Sequence, residues 1–143
     1  MIKTKAAGLI LGVVLLLQSS TERQVARAEG APTPDWEEYE RVSMVQLIAT
    51  PREFDGKKTQ VCGFATIEFE GTALYLSRDD MKYLINRNSL WLGVRDWQAK
   101  KWTVLHRRPI CVYGVFKAAD KGHMGAHSGA VHEIARVLAL KAW

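Results

Sequence analysis

The sequence predicts a small, mainly β domain: five strands closed into a barrel, led by a helix and carrying a helical insert between the second and third strands. Three observations predict it. From Thr59 onward apolar and polar residues alternate with period two, as in a half-buried strand. Glycines recur in mid-strand at Gly63 and Gly114, where barrel strands bend. A capped amphipathic segment runs directly into the first strand.

That segment opens with Ser43 as N-cap and Gln46 three residues on, the spacing of a capping box. Val42 and Leu47 take the positions of a hydrophobic staple, and Met44, Leu47 and Ile48 share one face. Pro51 ends the helix or restarts a short turn, because its ring excludes the preceding residue from helical geometry. Asp55-Gly56 then supplies turn chemistry.

In the first strand Thr59, Val61, Gly63, Ala65, Ile67 and Phe69 fall on the inner side, since side chains alternate across a strand. Glu70-Gly71 reverses the chain into a second strand with Leu74 and Leu76 inward. Residues 78–87 have helical character, with Met81, Leu84 and Ile85 apolar. A third strand spans Ser89 to Val94, with Leu90, Leu92 and Val94 inward. Residues 95–108 are polar, basic and tryptophan-bearing, with a short helical turn expected. Ile110 to Lys117 form a fourth strand, and a fifth runs from about Val131 to Leu140. Apolar parity shifts within the fifth strand, which calls for a bulge.

The 143 residues suffice for one domain, not two. Lys3 and Lys5 precede an apolar run from Ala6 to Leu17, and Ala26-Arg27-Ala28 fits the A-x-A rule. Residues 1–28 therefore read as a secretory signal peptide, with Glu29 the first mature residue. The run is shorter than the ~20 apolar residues of a span, so no stable membrane span is expected after cleavage. Retention as an uncleaved N-terminal anchor is the competing reading. Residues 29–41 read as a flexible tether and 42–143 as the barrel domain. Cleavage removes four of the 20 basic residues and one of the 15 acidic ones, leaving a net charge of +2 in place of +5. A global electrostatic case for nucleic acid or membrane binding loses most of its force. Cys62 and Cys111 are the two cysteines, and an even count in an oxidising compartment, periplasmic or extracellular, reads first as a disulfide.

The stretch Val42 to Ile48, then Pro51, Phe54-Asp55-Gly56-Lys57-Lys58 and Val61-x-Gly63, resembles the opening of OB-fold domains in exported bacterial proteins. Val112-x-Gly114-x-Phe116 resembles the return of that pattern in their fourth strand, and Asp120 to Gly125 with Ser128-Gly129 resembles small OB-like (tRNA-anti-like) barrels of uncharacterised function. The resemblance covers roughly Val42 to Leu140 and implies a fold, not an activity. It also implies that the first and fourth strands are neighbours. Cys62 follows inward Val61 and Cys111 follows inward Ile110, so both thiols would share the outer face, as a cross-strand bridge needs. The cysteines themselves depart from the family pattern.

Candidate binding residues follow from parity. Phe64, Tyr75, Trp91 and Tyr113 have outer parity on four strands, resembling the stacking platform that OB-folds offer to bases or sugars. Lys100, Lys101, Arg107 and Arg108 would rim it. The bland alternative covers these rings with the leading helix, the insert or the tryptophan-bearing connection. Gly122, His123, Met124 and Gly125 lie in the loop between strands four and five, a usual ligand edge of that barrel. His123, His127 and His132 are weak metal candidates with no compact ligand spacing, so no cofactor is expected. No nucleophile elbow, metalloprotease helix or Cys/His pairing is present, and an enzyme is not expected. Asp79, Asp80 and Asp96 read as solvated carboxylates. The expectation is an exported, non-enzymatic module for a protein partner or cell-envelope ligand. The alternatives are a single-stranded nucleic-acid or oligosaccharide binder using the aromatic wall, with nucleic acid disfavoured by export, and a metal-binding protein using the glycine–histidine loop.

Overall fold

A computed structural model describes residues 36–141; the expected signal peptide and the first part of the tether lie outside the described residues. The fold is mainly β, with a closed five-strand barrel, one extra strand and a few helices. In chain order the elements are β1 (Glu40–Arg41), α1 (Met44–Ala49), α2 (Pro51–Phe54), β2 (Lys58–Thr66), β3 (Ala73–Tyr75), α3 (Arg78–Lys82), β4 (Ser89–Leu92), α4 (Asp96–Trp102), β5 (Pro109–Lys117) and β6 (Ala130–Ala139). Among the described residues no helix is long and apolar enough to cross a membrane.

The barrel runs β2-β3-β4-β6-β5 and closes where β5 pairs back onto β2. Neighbours are antiparallel except β4 and β6, which are parallel. β1 pairs in parallel with β2 at Thr59 and Gln60, ahead of the stretch of β2 that pairs with β3. Such a short strand covers backbone groups that would otherwise form a free edge.

The capping box forms as expected: Gln46 N donates to Ser43 Oγ at 3.2 Å, and Ser43 N donates to Gln46 Oε1 at 3.0 Å. Pro51 takes the first turn of α2, where its missing N–H costs nothing. Val42, Met44, Leu47 and Phe54 join the barrel core of Val61, Leu74, Leu90, Val112, Phe116 and their neighbours. Cys62 and Cys111 are bonded and sit directly opposite each other in the β2–β5 register, with Cα atoms 4.0 Å apart.

The bulge also forms. Tyr113 faces Arg136 while Val115 faces His132, so residues 133–135 all lie opposite Gly114. Glu133 takes φ +48° there. A Cβ on Gly114 would lie 2.5 Å from the His132 carbonyl oxygen, so only glycine fits this crossing.

Four local expectations are corrected. β2 stops at Thr66, so Phe69 does not continue the inward face but stands 93% exposed. Leu76 lies just past β3 and is exposed. The insert is α-helical only through Lys82, because Leu84 turns to φ +54°, and a single 3-10 turn at Asn86–Asn88 follows. Of its apolar side chains only Met81 is buried. Asp80 is buried too, not solvated: it accepts from Ser77 Oγ at 2.5 Å and from Asn88 Nδ2 at 2.8 Å. Those hydrogen bonds hold its carboxyl below the usual carboxylate range, since they favour the charged form.

Candidate ligand-binding cleft

The outer aromatics do not form one wall. Phe64 and Tyr75 are cross-strand partners. They pack with Ala73 and Met81 under the insert, where Tyr75 is 3% exposed and its hydroxyl donates to Asn86 Oδ1 at 2.8 Å. Tyr113 lies on a different facet, covered by Trp36 and Tyr39 at ring distances of 5.3 and 5.6 Å. The Arg136 guanidinium stacks over both Trp36 and Tyr113. The end of the segment read as a tether is thus laid along the barrel. Lys101, Arg107 and Arg108 are exposed and line no cavity described here.

Trp91 is different. It stands in a cleft of about 740 Å³ built from three separate pieces of chain. The first is the β2–β3 connection, contributing Ile67, Glu68, Phe69 and Glu70; the second is α4, contributing Asp96, Ala99 and Lys100; the third is the β5–β6 loop, contributing Asp120, Gly122 and His123. Leu92 and Val94 join Trp91 in its lining.

Each piece is held by specific bonds. Ile67 N donates to His106 Nδ1 at 3.1 Å. That nitrogen must therefore be the unprotonated one, and Nε2, 3.5 Å from Glu68 Oε1, faces the carboxylate with its proton. Thr66 Oγ1 donates to the Gly71 carbonyl at 2.6 Å, and Thr72 Oγ1 to the Glu68 carbonyl at 2.9 Å. Leu92 N donates to Thr72 O at 3.0 Å, fixing the connection to β4. Asp120 accepts from Gly122 N at 2.8 Å and pairs with His132 Nε2 at 2.6 Å. The Gly122 bond first, and His132 after it, hold the Asp120 carboxyl below its ordinary range. Gly122 has φ +64°, and a Cβ there would strike the Trp91 ring at 2.5 Å. Glycine is what lets this loop close on the indole.

Of the residues singled out by sequence, Trp91, Lys100, Gly122 and His123 line this cleft. Met124 and Gly125 occupy the exposed turn beside it. Sequence reasoning missed Glu68, Phe69 and Glu70. The available signal was an aromatic residue flanked by two carboxylates immediately before Gly71, a composition suited to a loop tip rather than a strand. A second cleft, about 730 Å³, is lined by Arg95, Trp97, Lys117 and His132 among others. Asp120 lines the first cleft and its partner His132 the second.

The three candidate histidines do not converge. His132 is paired with Asp120, His127 is buried on Ser89, and His123 is exposed in the first cleft. Among the described residues no three potential metal ligands are gathered in one place. The Ser89–His127 pair, 2.6 Å apart, is oriented as a strut. Ser89 Oγ donates to the Asn86 carbonyl at 2.6 Å, so its oxygen is left to accept from His127 Nδ1–H.

His127 is 5% exposed. Burial, and then the neighbouring His123, push its pKa below the ordinary histidine value of 6.5. The unfolded chain therefore binds this proton more readily than the folded one, and stability rises with pH across that window. The contribution is complete above pH 6.5 and is lost as pH falls from there through the folded value. We expect thermal unfolding of the native protein to drop between pH 7 and 5 more steeply than that of His127→Gln. Parallel curves would rule out His127 as the titrating group. Asp80 and Asp120, also lowered, act in a separate window below about pH 4.

No family model matches the chain, and no curated protein matches it. Among solved structures it is similar to a DUF3299 family protein from Pseudomonas aeruginosa PAO1, at 12% identity and a TM-score of 0.44, covering 73% of this chain and 98% of that one. It is also similar to a putative aspartyl-tRNA synthetase from Leishmania major Friedlin, at 7% identity and a TM-score of 0.45, covering 76% of this chain but 22% of that one. At these identities neither likeness bears on function.

Proposed function

We propose that the chain is an exported, non-catalytic binding module built on an OB-fold, which takes a protein partner in the cleft around Trp91. One observation carries this: the β2–β3 connection, α4 and the β5–β6 loop all meet at Trp91. In an OB-fold the loops between strands one and two and between strands four and five form the ligand edge, and those are the connections that line this cleft. The closure order β2-β3-β4-β6-β5 supports the OB reading, as a five-strand Greek-key barrel. The Cys62–Cys111 bond supports an oxidising compartment, in line with the signal-like N-terminal sequence. The Ser89–His127 pair supports a non-catalytic reading, because Ser89 is fully buried and its proton is committed to a carbonyl.

A photoreactive phenylalanine analogue placed at Phe69 in the living cell tests the site. It should yield a discrete adduct that disappears when Trp91→Ala is added. The same analogue at Leu84, which is also exposed but lies on the insert away from the cleft lining, should yield none. No adduct from position 69, or equal adducts from both positions, would overturn the assignment.

A further inference from the structure

We infer that the occupant of this cleft is a cationic peptide segment carrying at least one large apolar side chain; this rests on the reading of the Trp91 cleft as the ligand site. Glu68, Glu70, Asp96 and Asp120 line it against a single lysine, Lys100. Asp120 is engaged by His132 and Gly122, and Glu68 faces His106. Glu70 and Asp96 have no ion-pair partner among the described residues. The mature chain expected after cleavage carries a net charge of +2, so the negative cleft is a local concentration rather than a property of the whole surface. Carboxylates crowded at one opening raise the local concentration of cations and repel phosphates.

The apolar requirement comes from the floor and the lip. Ile67, Leu92, Val94 and Ala99 line the cleft together with Trp91, and the indole face suits either an apolar side chain or a cation. Phe69 projects at the entrance almost wholly in water, an arrangement that fits a contact made with a partner. The volume lies inside the ~300–1,000 Å³ range of small-ligand sites, room for a few side chains rather than a folded surface. A peptide fits better than a small amine because the carboxylates come from three separate pieces of chain around an apolar lining, more than one charged head group would engage.

The test uses isotope-labelled protein as recovered after export and three probes: an acetylated Lys-Phe-Lys-Leu-Lys amide, the same peptide with glutamate for lysine, and an oligothymidylate of eight nucleotides. The cationic peptide should shift the backbone amides of Phe69, Trp91 and Ala99 and weaken as salt is raised. Glu70→Gln with Asp96→Asn should reduce its affinity roughly tenfold, two partly exposed ion pairs being lost. Equal or tighter binding of the glutamate peptide or the oligothymidylate at those amides overturns the cationic inference and leaves the cleft standing. Shifts by the cationic peptide elsewhere, or none, also overturn it. The cleft itself is judged separately by crosslinking from position 69.

Discussion

Replacing Cys62 and Cys111 together by alanine is expected to cost about 4 kcal/mol of unfolding free energy, the chain-entropy value for a loop of this size. The bridge spans a sequence separation of 49, so in the unfolded chain it removes the freedom of nearly half the domain. Its position adds to the effect. It lies on the β2–β5 seam, the pairing that turns an open sheet into a barrel. An open seam exposes two edges of unpaired backbone groups. For a domain of this size the loss corresponds to roughly 20 °C in melting temperature. Thermal and urea unfolding of the oxidised protein, the reduced protein and the double variant would measure it. A cost under about 1 kcal/mol would mean that the seam is held by its ladder and core alone, and that the bridge constrains little in the unfolded state.

Phe116→Ala is expected to cost about 3–5 kcal/mol, as large aromatic truncations in tight cores do. Phe116 is completely buried. A Cβ on Gly129 would lie 2.7 Å from its ring, so the ring is pressed against the backbone at the end of the β5–β6 loop. Its own backbone receives Gly56 N–H at 2.8 Å and donates to Lys57 O at 3.0 Å, tying the turn after α2 to β5. The cavity left by alanine would therefore sit where the leading helices, β5 and the β5–β6 loop meet. Phe116→Leu keeps most of the volume and should cost roughly 1–1.5 kcal/mol. Hydrogen exchange should speed up for loop amides 122–129 in the alanine variant. A cost below about 1 kcal/mol, with exchange unchanged, would show that the site collapses freely around the loss.

Much of the barrel was legible because its signals are local. Alternation from Thr59 to Ile67 is a property of neighbouring side chains and a pleated backbone. The Ser43–Gln46 box needs three residues of separation and nothing beyond. The bulge in β6 showed as a change of parity within one strand. The Cys62–Cys111 pairing was reached through parity and an implied strand neighbourhood, and the register places the two cysteines opposite each other.

The cleft was legible only in part. Parity says which face of a strand a ring occupies but not what lies on that face. Phe64, Tyr75, Trp91 and Tyr113 therefore looked equivalent, although α3 and its neighbours cover two, Trp36 and Tyr39 cover one, and only Trp91 opens into the cleft. Asp80 read as solvated because charged residues usually are; its burial depends on Asn88, eight residues away, folding back over it.

The sequence by itself determined the secondary structure of the barrel, the capped helix leading into it and the two cysteines available for bonding. Those follow from propensity, periodicity and composition, which act over a few residues. Only the tertiary structure decided that Glu68, Asp96 and Asp120 share one opening with Trp91. Barrel closure brings together chain segments that are far apart in sequence, and the field of several carboxylates exists only once they are near one another.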